Sequence, residues 1–205
     1  TLDKLNPNPF LINALNLNSV EELIELLVYQ RATRSIVTSF GFYLEDLLEA
    51  AGGTKLERGF DIVKIINGVQ HYIQVKSGTS DMDKDQVELW RKKIEEYEKM
   101  GHKAYIGMPY GKIDNSSVTI GLFKQYLPDW KVRTLIGKKL WDFISDEENF
   151  HLKILRELKV AAVQILNNKT ILNEIRNAIE RVVEEFHKKY GSGKNSIDKF
   201  IKSLF

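Results

Sequence analysis

Apolar positions follow two rhythms along this chain. Around Asn67-Gly68, two β-branched, apolar-rich runs over about 60–66 and 69–76 predict strands. Asn-Gly between such runs is a strong short-range signal for a two-residue hairpin turn. Elsewhere the spacing is three and four, the period of an amphipathic helix. Residues 6–30 read as a loop and then a helix, with Ser19 as cap, Glu21 and Glu22 in its first turn, and Leu23, Ile24, Leu26 and Leu27 as its stripe. Residues 31–38 continue or briefly break it. A second helix is predicted over Ser39–Ala51, with Phe40, Tyr43, Leu44, Leu47 and Leu48 on one face, ended by Gly52-Gly53. A charged helix follows over 84–100, stopped by Gly101. Short strands are expected over Ala104–Met108, Val118–Leu122 and Val132–Ile136. From about 138 the chain reads as helical. Residues 170–190 carry a long stripe that includes Ile175, Ile179 and Val183, and Gly191-Ser192-Gly193 is a hinge. This alternation predicts an α/β fold with a C-terminal helical region.

The hairpin has a chemical consequence. If Asn67-Gly68 is the loop, Ile66 pairs with Val69 and Asp61 faces Gln74, with Lys76 two residues on along the same face. A carboxylate, an amide oxygen and an ammonium then share one end of a rigid two-stranded unit. That combination suits a hard divalent cation, a phosphate and an attacking water. Each residue also has a plain structural reading: a strand-end Asp, a solvated Gln, an ordinary Lys. Glu45 and Glu49 lie one helical turn apart and share a face, so either could reach the same place.

Asp61 followed by Gln74-Val75-Lys76 resembles the PD-(D/E)xK nuclease superfamily, in the Gln-x-Lys variant of Mrr-like nucleases. Further blocks are similar to one group of type II restriction endonucleases. They are Asn8-Pro9-Phe10-Leu11, Gly41-Phe42-Tyr43-Leu44-Glu45, Gln74-Val75-Lys76-Ser77-Gly78, Tyr110-Gly111-Lys112 and the run from Ile136 to Ser145. The resemblance covers roughly residues 6–157. The triad alone is degenerate, and its ordered combination with these blocks is what makes it specific. The resemblance implies a restriction-endonuclease-like core with a central mixed β-sheet flanked by helices. It implies a Mg²⁺ site, with Mn²⁺ as a substitute, held by Asp61, Gln74 and Glu45, with Lys76 orienting water and stabilising charge. Two departures stand out: Phe60 replaces the superfamily's Pro, and Gln74 replaces its second acidic residue. Glu45 is the candidate to restore the missing negative charge, whereas Glu49 reads as paired with a nearby lysine. The expected organisation is a nuclease core with N-terminal helices over 1–150 and a C-terminal helical extension over 151–205 that is part of the same compact domain.

Composition narrows the picture. A formal net charge of +2 excludes a uniformly basic coat but allows a local basic cleft. Candidate DNA contacts are Arg31, Arg34, Ser39, Ser77, Gln86 and Lys112, with the loop 77–83 and Lys138-Lys139 beside them. With no Cys, thiolate metal sites and disulfides are excluded, and the four histidines show no metal or triad spacing. No phosphate-binding loop is present, so no nucleotide cofactor is expected. No apolar run approaches the ~20 residues of a membrane span, and Thr1–Asn6 show no secretion-signal core, so a cytoplasmic location is expected. The reading is a type II restriction endonuclease cutting double-stranded DNA at a short palindromic site as a homodimer, with Ile175, Ile179 and Val183 expected in the two-fold interface. The alternatives are a Mrr-like or junction-resolving nuclease, and an inactive DNA-binding or interaction domain.

Overall fold

The computed structural model describes residues 1–5, 7–17, 19–78, 82–112, 117–166, 169–193 and 195–205. Thr79, Ser80 and Asp81 of the candidate DNA-contacting loop lie outside the described residues. The chain divides into two compact units, one of residues 1–38 with 160–205 and one of residues 39–159.

The unit of residues 39–159 is built on a mixed sheet of five strands, ordered β1 (Thr54–Lys55), β2 (Ile62–Ile66), β3 (Val69–Val75), β4 (Lys103–Met108) and β5 (Thr134–Ile136). The first three pair antiparallel; β4 and β5 join parallel to β3. The hairpin turns where the sequence predicts it, with Asn67 at φ 51° and Gly68 at φ 80°. Both lie in the left-handed region that a tight two-residue turn needs. The register follows: Ile66 pairs with Val69 and Ile62 with Ile73.

Alternation along β3 and β4 sorts side chains between two cores. On one face Ala104, Ile106 and Met108 pack with Phe60, Val87, Trp90 and Ile94. Val87, Trp90 and Ile94 come from α3 (Lys84–Lys99), which is capped by Asp83 accepting from the Gln86 N–H at 2.8 Å. On the other face Ile62, Ile73 and Val75 pack with Leu44, Leu48, Leu140, Trp141 and Ile144. Those helical residues belong to α2 (Val20–Ala50) and α6 (Lys138–Ser145). Gly53, just past α2, sits so close to β2 that a Cβ there would lie 2.6 Å from Ile62 Cγ2. Lys64 is buried on this second face. Its ammonium caps the end of α6, donating to the carbonyls of Phe143 and Ile144 at 2.8 Å each and pairing with Asp146 at 2.6 Å.

The structure alters three sequence expectations. The two helices predicted over 19–51 are one helix of 31 residues, α2, because nothing in 31–38 breaks it. Ser19 does cap it, accepting from the Glu22 N–H at 3.1 Å. The strand expected over Val118–Leu122 is a helix, α4 (Val118–Tyr126). Its β-branched residues favour a strand, but Ser117 caps it and Ile120, Phe123 and Leu127 enter the core at helical spacing. The final strand is shorter than expected, because Trp130–Arg133 form a helical turn, α5, before β5.

The unit of residues 1–38 and 160–205 is helical. It contains α1 (Pro9–Ala14), the first part of α2, the end of α7 (Phe150–Leu166), α8 (Ile171–Tyr190) and α9 (Ser196–Lys202). Here the interface expectation fails. Ile175, Val182 and Phe186 are buried with Leu23, Ile24 and Leu27 of α2, and Ile179 and Val183 pack against the same cluster. Ile175 is buried and Ile179 and Val183 are partly buried against their own chain, so these three are engaged in the core. Ile175→Ala should therefore destabilise the fold by about 2–5 kcal/mol without changing the association state. Chemical denaturation and sedimentation measured together check both halves.

Candidate active site

The hairpin register brings Asp61 to the end of β3. The Asp61 N–H donates to the Ile73 carbonyl at 3.1 Å, continuing the β2–β3 pairing one step past the strand. Its carboxylate Oδ2 accepts from the Val75 N–H at 2.6 Å and from the Gln74 side-chain N–H. Gln74 is almost fully buried. With its NH₂ turned to Asp61, its acceptor Oε1 is left buried with no hydrogen-bond partner among the described residues. Lys76 follows at once, its backbone N–H donating to the Gly107 carbonyl at 2.8 Å.

Two further charges act on Asp61. Glu45 is near enough for its negative charge to push the Asp61 pKa up, and Lys76 is near enough to push it down. Burial is the largest influence and also raises it, while the hydrogen bonds from Val75 and Gln74 oppose it. The net result is a carboxyl held above its ordinary value of 3.8. Such a group is ionised at a cost that a cation would relieve.

Lys55 joins the helix to the hairpin. Its ammonium pairs with Asp46 at 2.7 Å and Glu45 at 3.4 Å. Its backbone N–H donates to Glu49 Oε1 at 3.3 Å. The next residue, Leu56, donates its N–H to the Asp61 carbonyl at 2.8 Å. One dipeptide thus ties the helix glutamates to the backbone of Asp61. Nothing in the sequence singles out Lys55, since a two-residue strand has no periodicity to read. The ammonium of Lys55 goes to Glu45 and Asp46, and Glu49 accepts from its backbone N–H in place of the expected side-chain pair.

The donor set is two carboxylates and one amide oxygen. Among the described residues no group of three or more His, Asp or Glu could hold a metal. The residues present still fit a divalent cation. The buried amide oxygen of Gln74 has no partner among the described residues, and burial with Glu45 raises the Asp61 pKa despite the Lys76 charge and two hydrogen bonds. Oxygen donors of this kind suit Mg²⁺ or Mn²⁺.

The candidate DNA contacts are dispersed. Ser39, Ser77, Gln86 and Lys112 belong to the unit that carries Asp61, whereas Arg31 and Arg34 belong to the helical unit. Arg31, Arg34, Ser39 and Lys112 are exposed; Ser77 and Gln86 are half-buried. Lys138 and Lys139 are committed elsewhere. Lys138 pairs with Asp142 and with Glu148 at 3.6 Å, and Lys139 donates to the carbonyls of Lys131 and Thr134 at 3.0 Å each.

A family model described as type II restriction endonuclease EcoO109I matches residues 3–165, most of the chain. No curated protein gives a significant match.

The raised pKa of Asp61 has a defined sign. The group supports the fold fully below its ordinary value of 3.8, and that support is lost as pH rises through the raised value. Without metal, ionised Asp61 therefore weighs against the fold at neutral pH. Asp61→Asn keeps an oxygen for the Val75 N–H and removes the charge. In a chelator at pH 7 it should melt above wild type, and the difference should vanish as pH falls toward 3.8. Thermal unfolding across that range checks it.

Proposed function

The chain belongs to the type II restriction endonuclease EcoO109I family, and from that premise we propose that it is a Mg²⁺-dependent enzyme hydrolysing both strands of DNA at a short palindromic site. The observation that carries the reading is the convergence of Val75 N–H and Gln74 on Asp61 Oδ2, under the charges of Glu45 and Lys76. Asp61, Gln74 and Glu45 would hold the cation, which would polarise the scissile phosphate and favour deprotonation of an attacking water. The chain's own part is placement. The Val75 N–H and Gln74 fix the Asp61 carboxylate, Lys55 restrains Glu45, and Lys76 orients water and offsets charge that develops on the phosphate. Mn²⁺ would substitute, since it accepts the same oxygen donors. Arg31, Arg34, Ser39, Ser77, Gln86 and Lys112 are the proposed DNA contacts.

Two strands of a palindrome present two equivalent phosphates, and the described residues form one such cluster, so the working enzyme in this reading is a homodimer. In the helical unit, Val160 and Val163 of α7 and Ile171 and Leu172 of α8 remain exposed at 48%, 53%, 48% and 50%. A second copy is the proposed cover for these residues, in place of the buried stripe of α8. Among the described residues no helix is long and apolar enough to cross a membrane.

Unmethylated phage DNA incubated with Mg²⁺ should yield discrete fragments. Asp61→Ala should abolish cutting while retaining binding, and Lys76→Ala should slow it by about 10²–10³-fold. A smear or intact DNA from the wild type, or full activity in Asp61→Ala, would overturn the assignment. For the dimer, Val163→Glu combined with Leu172→Glu should give a folded monomer that nicks but no longer makes concerted double-strand cuts. Sedimentation and plasmid linearisation read out the two effects.

A further inference from the structure

A second feature occupies the catalytic end of the sheet. Strands β3, β4 and β5 run parallel, so the segments leaving them emerge at one end. These are Lys76-Ser77-Gly78 after β3, Pro109-Tyr110-Gly111 after β4 and Gly137-Lys138 after β5. Open parallel sheets bind ligands at this end. A cavity of about 310 Å³ lies there, and Tyr110, Lys138, Trp141, Phe40, Leu44 and His151 are among its lining residues. It is at the low end of the volumes that hold small organic groups, about 300–1,000 Å³.

Four observations point to the chemistry of its occupant. Tyr110 packs directly over the segment that follows Lys76, so closely that a Cβ on Gly78 would lie 2.7 Å from its ring. The cavity therefore adjoins the candidate active site. Tyr110 and Phe40 are exposed at 54% and 42%, so part of each aromatic ring is open to a ligand. Trp141 is fixed beneath, its indole N–H donating to the Pro109 carbonyl at 2.8 Å. Finally, His151 Nδ1 is buried and has no hydrogen-bond partner among the described residues.

The charge balance of the lining does not favour an anion as occupant. Lys138, the cation of the lining, is taken up by Asp142 and Glu148. Partly exposed aromatic rings, a lining histidine with an unmet ring nitrogen and no uncommitted cation among the described lining residues suit a flat, uncharged heteroaromatic ring. A nucleobase has that chemistry, since it stacks on aromatic side chains and offers donors and acceptors at its edge. We propose that this cavity receives one nucleobase swung out of the duplex beside the scissile phosphate, stacked on Tyr110 and hydrogen-bonded by His151. The proposal rests on the nuclease reading above. Its role is recognition: a base held outside the stack is read by shape and by its edge, and a mismatched or weakly stacked base enters at lower cost.

The test uses full-length Asp61→Ala protein and duplexes carrying the site mapped from the ends of the phage DNA fragments. 2-Aminopurine is placed at each position around the cut in turn, because its fluorescence rises when it leaves the stack. One position should brighten several-fold on binding. Tyr110→Ala and His151→Phe, each combined with Asp61→Ala, should lose most of that rise. An abasic residue at the responding position should bind more tightly than the intact duplex, since nothing then has to be unstacked. Tyr110 is exposed, so Tyr110→Ala keeps the test informative if the His151 variant fails to fold. Duplex binding with no brightening at any position overturns the proposal. Brightening that persists in both variants overturns this cavity as the receptor. If Tyr110→Ala instead converts a dimer to a monomer with the fluorescence unchanged, the cavity seats a second copy and the proposal is wrong. Wild-type protein that leaves DNA intact with both Mg²⁺ and Mn²⁺ sinks the nuclease reading, and this one with it.

Discussion

The register of one hairpin is the constraint on which the rest of the site depends. Side chains in a strand alternate between faces, so a slip of one residue would turn Gln74 away from Asp61. Asn67 and Gly68 prevent the slip, because both adopt positive φ in a two-residue loop. Burial on both faces reinforces them, since Ile62 and Ile73 are fully enclosed and could not exchange sides without exposing a core. The parallel strands β4 and β5 extend the same frame. They bring the loops around Tyr110 and Gly137 to the end of the sheet where Asp61 and Lys76 lie.

Electrostatics makes that end unusual. A carboxylate is held in place by a backbone N–H and a buried amide, next to a second acid. Burial and the like charge of Glu45 raise the proton affinity of Asp61, while Lys76 and the two hydrogen bonds pull it down. The net effect is upward, so the surroundings disfavour the charged form until a cation is present. A buried oxygen without a partner on Gln74 adds to the demand for positive charge. Lys55 meets part of the acidic helix's own demand, and through Leu56 it links Glu45 mechanically to the backbone of Asp61.

Several charged residues that could pass for DNA contacts are engaged in holding the fold. Lys64 closes the end of α6, Lys139 bonds two carbonyls ahead of α6, and Lys138 is shared between two acids. For Lys64 and Lys139 the logic is the helix terminus, where carbonyls without an internal partner attract cations. These uses take three lysines out of the candidate DNA contacts, whereas Arg31, Arg34 and Lys112 are exposed.

The sequence by itself determined the hairpin, its register and the juxtaposition of Asp61, Gln74 and Lys76. Each follows from local chemistry: a turn that requires positive φ, and strand alternation that carries the register outward. It also determined the long helices, whose stripes repeat over several turns. Only the tertiary structure decided what those stripes touch. The stripe of α8 reads equally well as a core or a dimer face, and its burial against α2 depends on residues about 150 positions away. Val118–Tyr126 has the composition of a strand and is a helix, because the space beside the sheet accepts Ile120 and Phe123 at helical spacing. Lys55 and His151 were invisible for the same reason. A two-residue strand and a single histidine carry no pattern, and their significance comes from groups that meet them across the fold.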